Sequence, residues 1–257
     1  MAKVNDDGRD AFLDRIAARL RRSRRRSGEV APLAFSSQPW ESFYEGKTQE
    51  DLVRLFCKTL QSQGGLVWRV SSQEELRARL GSWLAEKQVK QVALWDDPRL
   101  EKLALASLLE ELDIEWVSWQ REHRGKEHDG QEQGETNDGR TNEGRKWVDQ
   151  AEQAQVGITW ADGAYAETGT VVVYSGPGKG RSVSLLPDTH LVFLYRSQIQ
   201  GRLSDLTRQL RQLMEMGALP SSVNLIGGPS SSADIQFEIV KGVHGPRELL
   251  AVVLEWD

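Results

Sequence analysis

Apolar residues recur along this chain in two periods, and their alternation sets the expected architecture. Residues 9–22 place Phe12, Leu13, Ile16 and Leu20 at helical spacing. Residues 27–48 hold Ser, Pro and Trp with no period, which predicts an extended arm pinned by Trp40, Phe43 and Tyr44. From 49 onward helix and strand trade places. A helix over 49–63 has Leu52, Leu55, Phe56 and Leu60 on one side and stops at Gly64-Gly65. A strand over 66–70 precedes a helix over 73–87, opened by Ser71 or Ser72 with Glu74 and Glu75 close behind. Strand 89–95, helix 99–112 and strand 114–119 continue the series. This pattern predicts an α/β fold with a mostly parallel sheet flanked by helices, preceded by a helical N-terminal arm.

The pattern then breaks. Between Arg121 and Lys146 there are 13 charged residues and 5 glycines, and no Val, Ile, Leu or aromatic residue. Such a stretch buries too little to offset the entropy of ordering it, so a disordered insertion is expected at 121–146. A short helix at 147–155 follows. Strands are expected at 156–162 and 166–174, at 182–190 and 191–195 around a Pro-Asp turn, at 222–227 and at 249–256. Residues 203–216 carry Leu206, Leu210, Leu213 and Met214 at helical spacing. The loop GGPSSSADI at 227–235 reads as a turn or short helix, and SGPGKGR at 175–181 as a hairpin turn with Lys179 and Arg181 exposed. Strands on both sides of the insertion are expected in one sheet. The organisation is therefore an arm over 1–48 and a single α/β domain over 49–257.

Composition narrows the function. Lys plus Arg is 33 and Asp plus Glu is 38, a net charge of −5, which leaves no general basic face for nucleic acid. A single cysteine, Cys57, excludes an internal disulfide or a Cys-only metal or iron–sulfur site in this chain. No stretch approaches the roughly 18–20 apolar residues of a membrane span, and the N-terminus has no signal-peptide core. A cytoplasmic protein is expected. Six arginines crowd positions 19–26; they suit a helix C-terminus and equally a phosphate or acidic partner. His123 and His128 fall in the insertion, so no metal site is expected there.

Four polar, glycine-containing clusters beside strands carry the candidate chemistry, because loops at strand ends supply ligand groups in open α/β sheets. Gly157–Asp162 offers Thr159 and Asp162. Ala166–Thr170 offers Glu167, Thr168 and Gly169. Gly227–Ile235 offers Gly228, Ser230, Ser231 and Asp234 as an anion nest. Lys241–Glu248 offers His244 and Arg247. Glu167, between a turn and an apolar strand, can act as base, nucleophile or hydrogen-bond acceptor, or be a surface carboxylate. Asp162 shares that ambiguity, and His190 titrates in the right range for proton transfer unless it is structural. Neither a phosphate-binding P-loop, a dinucleotide fingerprint nor a serine nucleophile elbow is present in the sequence.

Taken in order, GITWADGAYAETGTVVV at 157–173, RSVSLLPDTHLVFLYRSQI at 181–199 and GGPSSSADIQFEIVKGVHGPREL at 227–249 resemble the LUD-domain family. The resemblance covers nearly the whole chain except 121–146. It implies a fold like the NagB/RpiA/CoA-transferase group. It also implies work with two iron–sulfur proteins that oxidise L-lactate to pyruvate in the cytoplasm, the clusters lying in those partners and no cofactor in this chain. Two departures stand out: Trp160 where the family usually has Gly, and Ser231-Ser232 where it has Arg-Thr. Loss of that guanidinium removes an anion clamp unless Arg181, Lys241 or Arg247 substitutes. The loop chemistry alone also fits a stand-alone sugar-phosphate or acyl-CoA enzyme, or a regulatory protein that binds a small anionic ligand.

Overall fold

The computed structural model describes residues 6–24, 44–119, 142–233, 239–242 and 244–256. The chain divides into a first unit, Met1–Glu45, and a second, Gly46–Asp257. In the first unit helix α1 runs Asp6–Arg19 and ends where Arg21 takes a left-handed φ of 51°. Trp40, Phe43 and the rest of the predicted arm lie outside the described residues, apart from 44–48.

The second unit opens with α2 (Gln49–Ser62). Its N-terminus is fixed by reciprocal bonds, with Asp51 N donating to Thr48 Oγ1 at 3.2 Å and Thr48 N donating to the Asp51 carboxylate at 2.9 Å. Val53, Phe56 and Leu60 form its buried stripe. Strand β1 (Leu66–Val70) follows, then α3 (Gln73–Glu86), capped by Ser72. Strand β2 (Gln91–Trp95) leads into a helix that the periodicity predicts as continuous over 99–112. It is broken in two, α4 (Pro98–Glu101) and α5 (Leu105–Glu111), with Ala104 at φ 50° between them. The reason is burial. Leu100, Leu103, Leu105, Leu108 and Leu109 are all buried, and a continuous helix would set Leu105 about 140° away from Leu100. No Gly or Pro marks the break.

Strand β3 (Glu115–Trp119) precedes the predicted insertion at 121–146, of which 121–141 lies outside the described residues. Helix α6 starts at Asn142, earlier than the expected 147, and runs to Gln153. Then come β4 (Val156–Trp160), β5 (Gly163–Tyr165) and β6 (Thr170–Ser175). The expected strand at 182–190 is instead a helical turn, α7 (Ser182–Leu185), followed by β7 (Thr189–Tyr195). SVSL satisfies either period over so short a run, and Pro187 then prevents the helix from continuing. After β7 come a 3₁₀ turn (Arg196–Gln198), β8 (Ile199–Gln200), α8 (Ser204–Glu215) and β9 (Ser222–Ile226). Residues Ser231–Ala233 form β10, antiparallel to β11 (Ile239–Lys241), where a turn or short helix is expected from the sequence. Strand β12 (Glu248–Leu254) comes last.

Six strands form one parallel sheet in the order β1-β12-β7-β4-β2-β3, so strands from both sides of the insertion do share a sheet. Its interior strands β12, β7 and β4 are almost wholly buried, as expected when both faces are covered. Strands β10 and β11 pair as a separate two-stranded ribbon, and a second sheet has the order β8-β5-β6-β9. Helix α8 seals that sheet through Leu206, packed with Tyr165 and Val172.

Candidate functional site

In an open parallel sheet, ligands favour the carboxyl ends of the strands where the strand order reverses. Here the chain steps outward from β2 to β3, then crosses back to β4 on the other side of β2. The switch point therefore lies between β2 and β4. Asp97 follows β2 and Asp162 follows β4, so both carboxylates stand at that point.

Asp97 is 2% exposed. It caps α4 by accepting from Arg99 N at 2.9 Å, and it takes the Arg99 side chain at 2.9 and 2.7 Å. Lys179 Nζ approaches the same carboxylate at 2.9 Å. Asp162 accepts from Tyr174 N at 2.7 Å and lies 3.3 Å from Arg99 and 3.7 Å from Lys179. Burial pushes the Asp97 carboxyl up, but hydrogen bonds from Arg99 and Lys179 outweigh it and hold the group well below the usual carboxylate range. The Arg99 guanidinium rests 5.2 Å from the Trp160 ring centroid. That ring is fully buried against Tyr195 and Phe193, and its Nε1 donates to Gln198 Oε1 at 3.0 Å. Trp160 is thus the floor on which Arg99 lies.

Lys179 reaches this cluster because the 175–181 segment is tied to the end of β2. Asp96 N donates to Gly178 O at 3.0 Å, and Trp95 Nε1 donates to Gly180 O at 2.9 Å. The segment is a turn, as the sequence predicts, yet it joins β6 to α7, and Lys179 is turned inward and ion-paired, not exposed. Arg181 is exposed. Asp97, Arg99 and Lys179 are absent from the sequence candidates. The available signal was Asp97-Pro98 directly after an apolar strand, which reads as a helix start. Two acids and two bases compensate one another, so the cluster fixes geometry at the switch point.

The other candidates gather elsewhere. Asp162 and Glu167 flank β5, Asp162 just before it at the ion-pair cluster and Glu167 beyond it in the turn, at most about 17 Å apart. The structure does not bring them into one crevice. Glu167 is exposed on the β5–β6 turn, where its carboxylate accepts from Leu203 N at 3.3 Å. Thr168 O accepts from Gln63 Nε2 at 2.8 Å. Gly169 has φ +58°, and a Cβ there would sit 2.5 Å from Leu60 N. Gly228 likewise lies against the Gln63 backbone. These three residues close the turn and the 227–229 loop onto the end of α2.

Ser230, His244 and Arg247 sit at the opposite end of the parallel sheet, before β12. Ser230 N donates to Pro246 O at 2.9 Å, and Arg247 N to Asp188 O at 2.8 Å. His244, Ser231 and Arg247 are exposed, and Arg247 Nε is 3.6 Å from Asp188. A hollow of about 250 Å³ opens here between Trp83, Lys87, Gln155, Asp188, Arg247 and Glu248. Asp234 lies outside the described residues. Among the described residues, no cluster of His, Cys, Asp and Glu has metal-site geometry, and no helix is long and apolar enough to cross a membrane.

His190 is 1% exposed in mid-sheet, its Nε2 2.8 Å from Thr159 Oγ1 and its Nδ1 without a hydrogen-bond partner. Burial pushes its pKa from 6.5 down to about 3, so at neutral pH it is a neutral hydrogen-bond partner to Thr159. The folded state resists a proton that the unfolded chain accepts below pH 6.5. Its contribution to stability is therefore full above that pH and is lost as pH falls towards 3, by up to about 1.4 kcal/mol per unit. His190→Gln is expected to flatten this part of the stability–pH curve, measured by urea unfolding. An unchanged slope would show that His190 does not set it.

The six-stranded parallel sheet, with helices on it and a smaller mixed sheet beside it, defines an α/β protein whose carboxyl-end crevice is closed by an ion-pair cluster. A crystal structure of a DUF162 family protein from Deinococcus radiodurans has this fold, with a TM-score of 0.52 and 16% identity over 81% of this chain and 99% of that one. The LUD domain model matches residues 53–254. The chain is 36% identical to lactate utilization protein C of a Geobacillus species (strain WCH70) over 96% of this chain and 95% of the relative. It is 34% identical to the Bacillus subtilis protein of the same name, with the same coverage. The chain belongs to the LUD domain family.

Proposed function

We propose that this chain serves lactate utilization as the cluster-free component of a cytoplasmic system in which two iron–sulfur proteins oxidise L-lactate to pyruvate. The observation that carries this reading is the similarity to proteins named lactate utilization protein C across 96% of the chain. Cys57 supports the division of labour. It is the single cysteine of the sequence, it is half-buried, and burial raises its thiol pKa, all of which suit a packed residue and not a cluster ligand.

Within this reading, the exposed Glu167 is the candidate carboxylate best placed to meet a ligand or partner. The bond its carboxylate accepts from Leu203 N is long and at the surface, so Glu167→Gln is expected to leave the melting temperature unchanged. Anaerobic L-lactate-dependent dye reduction, run with the two iron–sulfur proteins, is expected to require this chain and to slow by roughly tenfold or more with Glu167→Gln. Full activity without the chain would overturn the component role and favour a separate enzyme or regulator. Full activity with the variant would remove Glu167 from the chemistry while leaving the role intact.

A further inference from the structure

Strand β9 is an edge strand without the usual protection. It ends the second sheet, and among the described residues it pairs with β6 alone. The other sheet edges are guarded. Strand β1 holds Arg69 in ion pairs with Glu50 and Glu255, β3 opens on the exposed Glu115, and β8 is only Ile199–Gln200. Strand β9 carries neither charge nor proline. In a chain that is 28% charged, residues 216–233 contain no charged residue. Met214, Met216 and Leu219, which precede the strand, are 58%, 75% and 54% exposed, and Leu225 within it is 48% exposed. The direction of its backbone groups follows from β6. Tyr174 N donates to the Asp162 carboxylate and Val172 O accepts from Asp162 N, so both residues turn their main-chain groups towards β5. Their partners across β6 and β9 are Val223 and Leu225. In an antiparallel ladder such pairs are not hydrogen-bonded, so the N–H and C=O of Val223 and Leu225 point out of the sheet edge.

We propose that β9 pairs antiparallel with β9 of a second copy of this chain, about a two-fold axis through Asn224. This register sets Val223 against Leu225 of the second copy and Leu225 against its Val223, so the outward main-chain groups bond reciprocally. Asn224 then meets its own equivalent. The two four-stranded sheets become one continuous sheet, with both α8 helices on the same face. Because the strands run in opposite directions, the exposed apolar residues before one β9 lie towards the Leu225 end of the other. Charge selects the occupant. Each chain carries a net charge of −5, and residues beside a two-fold axis face their own kind, so two copies meet best across a stretch without charges. A foreign partner that recognised this acidic chain by charge would find nothing to pair with on β9.

The test is sedimentation velocity of the full chain at micromolar concentrations, in low and high salt. A dimer is expected, and it should persist in high salt because no ion pair forms it. Leu225→Lys sets an ammonium group beside the axis, and Leu225→Pro removes an N–H that β6 does not use. Each is expected to raise the dimer dissociation constant about tenfold or more. Circular dichroism and melting should match the parent chain in both, since Leu225 faces Val172 without a ladder hydrogen bond. Asn224→Cys fixes the register independently. Across the axis the two Cα atoms would stand about 4.5 Å apart, within disulfide range, so oxidised glutathione is expected to give a covalent dimer that a reductant reverses. A monomer at every concentration, a dimer that either Leu225 variant leaves intact, or a dimer that Asn224→Cys does not cross-link would overturn the proposal. A monomer that captures the iron–sulfur proteins, with capture lost in Leu225→Lys, would overturn it in favour of a foreign strand. None of these readouts is lactate oxidation, so this inference and the oxidation role fail separately.

Discussion

Gly157→Ala is expected to lower stability by about 3 kcal/mol or more and to leave little folded protein at growth temperature. Gly157 is the second residue of β4, a fully buried central strand. A Cβ at that position would stand 1.8 Å from Val183 O and 2.9 Å from Pro187 Cγ. The obstacle is backbone, so no rotamer change relieves it. Either α7 lifts from the sheet or β4 shifts against β2 and β7, and both movements open the core around Val183 and His190. Urea unfolding followed by tryptophan fluorescence measures the change. A variant with the parent midpoint would mean that α7 does not pack as described.

Asp97→Asn is expected to cost about 2 kcal/mol or more, because it leaves Arg99 and Lys179 partly buried around a neutral amide. The two cations are 28% and 23% exposed, which keeps the loss below that of a fully desolvated pair. The pH dependence distinguishes charge from shape. The folded carboxyl titrates below its ordinary value of 3.8, so its contribution is full above that pH and is lost as pH falls beneath it. Parent and variant stabilities should therefore differ most near neutrality and converge in acid. Lys179→Met in the Asp97→Asn background should recover part of the loss, since one uncompensated charge is gone. Equal stability of parent and variant at pH 7 would show that the cluster does not hold the switch point.

Legibility followed the range of the forces involved. The strand at 66–70 matches the sequence expectation to the residue, because five apolar-rich positions ended by Gly-Gly and Ser-Ser are a local statement. The cap expected at Ser71 or Ser72, which Ser72 supplies, is equally local in effect. The split after Glu101 was not readable, because helix periodicity there is overridden by five leucines that all reach the core. The turn at 182–185 was not readable either, since four residues satisfy two periods and only the sheet beneath chooses.

The sequence by itself determined the α/β order, the family resemblance, and the lack of a cysteine set for an iron–sulfur cluster, all of which depend on residue types and near-neighbour spacing. Only the tertiary structure decided which carboxylates meet. Asp97 and Lys179 are separated by a long stretch of chain and carry no shared motif, yet the return of β4 to the far side of β2 and the tethering of Gly178 to Asp96 bring them to 2.9 Å. Asp162 and Glu167, neighbours in sequence, are driven apart by the extended backbone of β5. Strand geometry separates near residues and sheet topology joins distant ones, and neither is written in a local pattern.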